Sequence, residues 1–173
     1  MCPFGHGPAE IVVKLGNVEH PKAVGDRSTL AIMLALREAG FGLYVPFGEN
    51  TRTDLVIDDG QRLARVQCKS GRLKNGAVQF ATCSTYAHHL SPRITRRDYL
   101  GEIDYFAVYC RETEGVYLVP IAAAPLRTQA HLRIEPTRNS QRRRIRFAAD
   151  YEVGRIRIEP ARECPGTQGV LTG

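Results

Sequence analysis

Asp54, Gln67 and Lys69 are the side chains whose types and spacing could carry a reaction. Asp54-Leu55-Val56-Ile57-Asp58, then Asp59-Gly60, then Arg65-Val66-Gln67-Cys68-Lys69 reads as two strands of a hairpin around a strong turn dipeptide. Side chains alternate along a strand, so Gln67 and Lys69 point one way while Val66 and Cys68 point the other. Asp54, at the start of the preceding strand, can then face the first pair. A carboxylate oxygen, an amide oxygen and the backbone carbonyl of Cys68 form a hard ligand set, which suits magnesium or manganese rather than zinc. Such a site fits phosphodiester hydrolysis, where a metal polarises a phosphoryl oxygen and makes a bound water acidic. Lys69 would orient or deprotonate that water, or neutralise phosphate charge. Taken in isolation, the same residues also read as a strand end, a turn and a wet strand face.

The elements that must position them follow from periodicity. Leu30, Met33, Leu34 and Arg37 share one helical face, with Gly40 as a stop, which predicts a helix over about residues 27 to 39. Asp26, just before it, is first of all an N-cap. Strands are predicted at Phe41 to Pro46, Asp54 to Asp58, Arg62 to Lys69, Ala77 to Thr82, Tyr105 to Tyr109 and Val116 to Pro120. Ser84 to Leu100 reads as helix or loop broken at Pro92. Arg142 to Phe147 and Arg155 to Ile158 alternate charged and apolar residues as half-wet strands do. The expected organisation is an N-terminal arm (1–21), one domain (22–160) and a C-terminal tail (161–173).

Composition narrows the partners. Lys and Arg number 24 against 18 Asp and Glu, a net charge of +6, and the excess favours a polyanion such as nucleic acid. Ser140 to Arg146 holds four arginines; Arg142, Arg144 and Arg146 on one strand face could track phosphates. Arg93, Arg96 and Arg97, with Arg72 and Lys74, are candidates for a second basic wall. His88-His89 lacks a third ligand at a useful offset, and surface histidines are the expectation. The five cysteines, with no C-x-x-C pair, read as reduced thiols. No apolar stretch approaches the roughly 20 residues of a membrane span, and no secretory signal is seen, so a cytoplasmic location is expected. Phosphate-binding glycine loops, G-x-S-x-G elbows and H-E-x-x-H helices are absent.

The order helix, Gly40-Phe41, Pro46-Phe47-Gly48-Glu49-Asn50, Asp54-Leu55, Asp59-Gly60, Val66-Gln67-Cys68-Lys69 resembles the PD-(D/E)XK nuclease superfamily over about residues 22 to 120. It is most similar to the branch with a Q-x-K third motif, which includes a group I intron homing endonuclease type. The resemblance implies a restriction-endonuclease-like α/β core, a mixed sheet flanked by helices. It also implies a magnesium-dependent endonuclease (manganese being the other candidate), with DNA, duplex or branched, as partner; a homo-oligomer is a further candidate partner that the sequence itself does not specify. Asp54 would be the metal-binding aspartate, Gln67 would replace the second acidic ligand, and Lys69 would be the catalytic lysine. Many relatives carry a glutamate on the first helix; Thr29 stands in its place, with Asp26 the nearest acid. One sure carboxylate remains, so the alternative is a DNA-binding module on the same fold with weakened or lost cleavage.

Overall fold

The computed structural model describes residues 20–48, 51–87, 94–126, 128–136, 143 and 145–155. Helix α1 (Pro21–Glu38) opens with Pro21 at its first turn, where a missing N–H costs nothing, and with His20 Nδ1 accepting from the Lys22 N–H at 3.3 Å. It starts six residues earlier than the sequence predicts, so Asp26 lies inside the helix and is no N-cap. The buried face also differs from the predicted one. Ser28, Ile32 and Leu36, at i, i+4 and i+8, are buried, whereas Leu30 and Leu34 are 67% and 62% exposed. A serine hides the apolar line in the sequence. Its hydroxyl is satisfied by the Val24 carbonyl at 2.8 Å and by Ser70 Oγ at 2.7 Å, so burial costs little.

Among the described residues nine strands follow: β1 (Gly42–Tyr44), β2 (Leu55–Asp58), β3 (Leu63–Lys74), β4 (Ala77–Ala81), β5 (Ser84–Ala87), β6 (Ile94–Arg97), β7 (Tyr105–Cys110), β8 (Gly115–Pro120) and β9 (Gln129–Arg133). Seven form a mixed sheet in which β1, β2, β3, β4 and β9 are successive neighbours, while β7 pairs with β3 and β8. The β3–β7 pairing is parallel, from Val66↔Tyr105 to Gly71↔Cys110, and the others are antiparallel. This is an α/β fold with a mixed sheet and a covering helix. β5 and β6 pair antiparallel as a separate ribbon, so the described part of the region expected to be helix or loop is strand at Ser84–Ala87 and Ile94–Arg97. Thr85, Tyr86, Ile94 and Thr95 are good strand formers, and Pro92 lies outside the described residues.

The tail end departs further. In place of a strand over Arg142 to Phe147, the described residues show one parallel bridge, Arg133↔Phe147, followed by a 3₁₀ turn at Ala148–Asp150. Arg155 closes another 3₁₀ turn, Val153–Arg155, where a strand start was expected, and residues 156–158 lie outside the described set. β9 has no counterpart in the sequence reading; polar Gln129 and His131 dilute its short alternation.

Two cores lie on opposite faces of the sheet. Ile32, Leu36, Leu55, Ile57, Val66, Cys68 and Ala107 pack beneath α1. Phe80, Tyr99, Ile103, Phe106, Val108 and Leu132 pack on the other face. β7 alternates between them, which is why its sequence is a continuous apolar run. Cys68, Cys83 and Cys110 are free and buried, as expected of small hydrophobes.

β3 serves both parts of the sheet, and its turn into β4 uses Asn75-Gly76 with φ of 53° and 70°, the left-handed pair that a tight hairpin requires. Gly71, between them, is needed for closeness. A Cβ there would stand 2.6 Å from Val78 Cγ1 and 3.0 Å from Val108 Cγ1. Gly71→Ala should therefore cost about 1–3 kcal/mol of stability through overpacking. Chemical denaturation checks this, and an unchanged midpoint would mean that β3 and β4 yield freely.

Candidate active site

The β2–β3 hairpin brings the predicted trio together. Asp58 Oδ1 accepts from the Gly60 N–H at 2.8 Å, and Asp59 Oδ1 accepts from the Gln61 and Arg62 N–H groups, so the turn is fixed by its own carboxylates. Asp54 precedes β2, with its N–H donating to the Val66 carbonyl at 2.9 Å. Its Oδ2 accepts from the Cys68 N–H at 2.8 Å and from Gln67 Nε2. Val66 and Cys68 lie beneath α1, and Gln67 and Lys69 alternate to the other face, as the strand period requires.

A cleft of about 470 Å³ opens here, lined by Asp26, Ser28, Thr29, Asp54, Cys68 and Lys69 among others. α1 forms one wall. The stretch bearing Val45, Pro46 and Gly48 lines it as well. Thr29 lines the cleft from α1, together with Asp54, Cys68 and Lys69. Burial and the neighbouring Asp54 charge push the Cys68 thiol up to about 12, so it stays protonated at neutral pH. Asp26, one turn before Thr29, is exposed and reaches the cleft from within the helix.

The donors suit a hard divalent cation. Asp54 Oδ2 is occupied by two N–H donors, Oδ1 accepts no hydrogen bond from the described residues, and no buried side-chain oxygen among them is unsatisfied, so Oδ1 faces water. With Gln67 Nε2 committed to Asp54, the amide oxygen remains as its donor. Asp54, that oxygen and the Cys68 carbonyl could hold magnesium, an ion that keeps several waters and needs few protein carboxylates. Among the described residues no three His, Cys, Asp or Glu side chains gather as a zinc-type cage would require.

Burial pushes the Asp54 carboxyl above its ordinary 3.8; the Cys68 N–H, the Lys69 charge and the Gln67 amide oppose that shift without reversing it. The folded chain thus holds a proton that the unfolded chain has already lost. Stability falls as pH rises through this window, while metal affinity, which needs the carboxylate, increases. Below the raised value, magnesium affinity should gain about one decade per pH unit, since one proton is displaced per ion. Calorimetric titration at several pH values checks this. A slope that persists in Asp54→Asn would assign the proton elsewhere.

Two contributors were missed by sequence reasoning. Lys69 Nζ donates to Tyr99 Oη at 2.9 Å, and Tyr99 lies in the segment expected to be helix or loop. Arg52, two residues before Asp54, is over the Tyr99 ring, 3.9 Å from its centroid. A conspicuous arginine beside the motif was the available signal. Of the predicted basic residues, Arg142, Arg144 and Arg93 lie outside the described residues, as do His88 and His89. Arg146 is half-buried, its carbonyl accepting from the Arg133 N–H at 2.7 Å. Of the candidates for a second basic wall, Arg96 borders a depression with Gln129 and His131, and Arg72 borders another with Arg27 and Arg111. Arg97 pairs with Glu102.

Comparison with known proteins agrees with this geometry. A model of the PD-(D/E)XK endonuclease family matches residues 19–154. The solved structure of a bacterial homing endonuclease, I-Ssp6803I, is similar at a TM-score of 0.63 and 25% identity, covering 78% of this chain and 89% of that one. No curated protein matches. The match spans the helix, the hairpin with Asp54, Gln67 and Lys69, and both cores, and so the chain belongs to the PD-(D/E)XK endonuclease family.

Proposed function

We propose that the chain hydrolyses DNA phosphodiester bonds with magnesium, or with manganese in its place, at the cleft between α1 and the β2–β3 hairpin. The observation that carries this reading is the joining of Asp54, Gln67 and Cys68 through one carboxylate oxygen, which leaves hard oxygen donors beside the Lys69 ammonium. Asp54, the Gln67 amide oxygen and the Cys68 carbonyl would hold the ion. When bound, the metal supplies Lewis-acid stabilisation of phosphoryl charge and a more acidic water. Lys69 orients the attacking water or offsets charge on the phosphate. DNA, duplex or branched, is the partner that the net charge of +6 favours, with Arg142, Arg144 and Arg146 as phosphate contacts. We place the reaction in the cytoplasm, where the free thiols of Cys68, Cys83 and Cys110 stay reduced, and propose a homo-oligomer as the working form.

A second reading, a DNA-binding module without cleavage, is favoured by Asp54 being the one half-buried carboxylate among the described cleft residues and by Thr29 in the cleft. Incubation with plasmid and branched DNA, with magnesium, manganese or chelator, separates the two. Cutting that the chelator stops supports hydrolysis. Salt-sensitive binding with no cutting at any metal concentration supports the module.

A further inference from the structure

The Lys69 ammonium meets a second side chain that no motif contains, and its surroundings are unusually constrained. Tyr99 is 4% exposed, its ring packs edge-on against Phe106 with centroids 5.5 Å apart and planes at 88°, and its hydroxyl accepts from Lys69 Nζ at 2.9 Å. The same ammonium lies 4.6 Å from the ring centroid. Arg52 lies over that ring as well, and its guanidinium is tethered: Nε donates to Glu102 at 2.6 Å, Nη1 to Ser84 Oγ at 2.6 Å and Nη2 to the Asp98 carbonyl at 2.5 Å. The Tyr99 ring therefore cannot tilt or slide without breaking contacts to three separate segments.

We propose that Tyr99, clamped by Arg52, is a positioning residue that fixes the Lys69 ammonium for the reaction proposed above, on which the inference rests. A lysine stem has four rotatable carbons, and an ammonium free to swing spends little time at one place. The hydroxyl oxygen and the ring attract the cation together, one as a hydrogen-bond acceptor and the other through its quadrupole. Lys69 and Tyr99 are 30 residues apart, so the contact joins the hairpin strand to the turn that leads into β7. Arg52 ties the same ring to the residue pair before Asp54, so the carboxylate and the ammonium are referenced to one rigid body. A merely structural tyrosine would need only some partner for its hydroxyl. Fixing the lysine that neighbours Asp54 has a consequence for rate.

Tyr99→Phe tests this, because it keeps the ring and removes only the acceptor. Single-turnover cleavage at saturating DNA and magnesium should fall roughly tenfold or more, as expected for a lost hydrogen bond to a charged group, while DNA affinity and half-saturating magnesium stay at wild-type values. A second readout needs no activity. In wild type carrying ¹³C-lysine, the Lys69 Hε protons, assigned by their loss in Lys69→Ala, should be inequivalent and shifted upfield by the ring; in Tyr99→Phe they should collapse toward one averaged signal. Undiminished cleavage by Tyr99→Phe, in a protein that Lys69→Ala silences, would overturn the proposal. So would Lys69 Hε signals in wild type at the positions of a free lysine. Wild type that cuts no DNA with any metal, yet shows the shifted Lys69 signals and their collapse, would sink the nuclease reading and leave the positioning supported.

Discussion

Asp54→Asn should lower magnesium-dependent cleavage by about a thousandfold, because the metal's stabilisation of phosphoryl charge amounts to several kcal/mol and each 1.36 kcal/mol is tenfold in rate. The asparagine oxygen can still accept from the Cys68 N–H and from Gln67 Nε2, the two bonds that hold the hairpin end. Only the charge is lost, so folding should be nearly unchanged. Alanine at this position would leave two donors without their acceptor and confuse stability with chemistry. Lys69→Ala should be similarly inactive while still binding DNA and metal, since its ammonium faces Tyr99 and the cleft and not an apolar core. Cleavage rates are to be read beside melting temperatures for each variant. Full cutting by either variant would remove that residue from the active site.

The hairpin that carries the site was legible because every interaction that defines it is short in sequence. The alternation from Ala64 to Lys69 and the Asp59-Gly60 turn specify which side chains share a face, and the structure keeps that register in Leu55↔Val66 and Asp58↔Leu63. The α1 face was misread for the opposite reason. Ser28 looks polar in the sequence, yet its hydroxyl meets Ser70, 42 residues away, and the burial it permits rotates the apolar line from Leu30 and Leu34 to Ile32 and Leu36. The roles of Tyr99 and Arg52 were not specified by pattern, Arg52's place beside the motif apart, because their partners lie 30 to 50 residues distant, at Lys69 and Glu102. A local motif names the reacting groups; the residues that hold those groups still are contributed by topology. Asp26 changed meaning in the same way. As the cap of a helix starting at residue 27 its carboxylate would be committed to backbone N–H groups, but in a helix starting at Pro21 it is released to the cleft.

That release sets Asp26 and Thr29 against each other as sources of a second carboxylate, and paired substitutions decide between them. Thr29→Glu should lower half-saturating magnesium about tenfold. At an effective dielectric of about 20, unit charges some 4 Å apart interact by roughly 4 kcal/mol, and a third of that surviving desolvation is about tenfold in affinity. Thr29 lines the cleft beside Cys68, whose thiol is held protonated by burial, so the change exposes no charge. In the metal-free protein the new carboxylate beside Asp54 should also raise the Asp54 pKa further, moving the pH at which metal binds upward. If Asp26 already supplies the second charge, the two variants behave differently: Asp26→Asn raises half-saturating magnesium about tenfold, and Thr29→Glu adds little to wild type but restores Asp26→Asn. Cleavage rate against magnesium concentration for wild type, both single variants and the double variant distinguishes the cases. Should Asp26→Asn match wild type and Thr29→Glu bind magnesium no better, neither helix position faces the ion, and Asp54 with Gln67 and Cys68 must hold it alone.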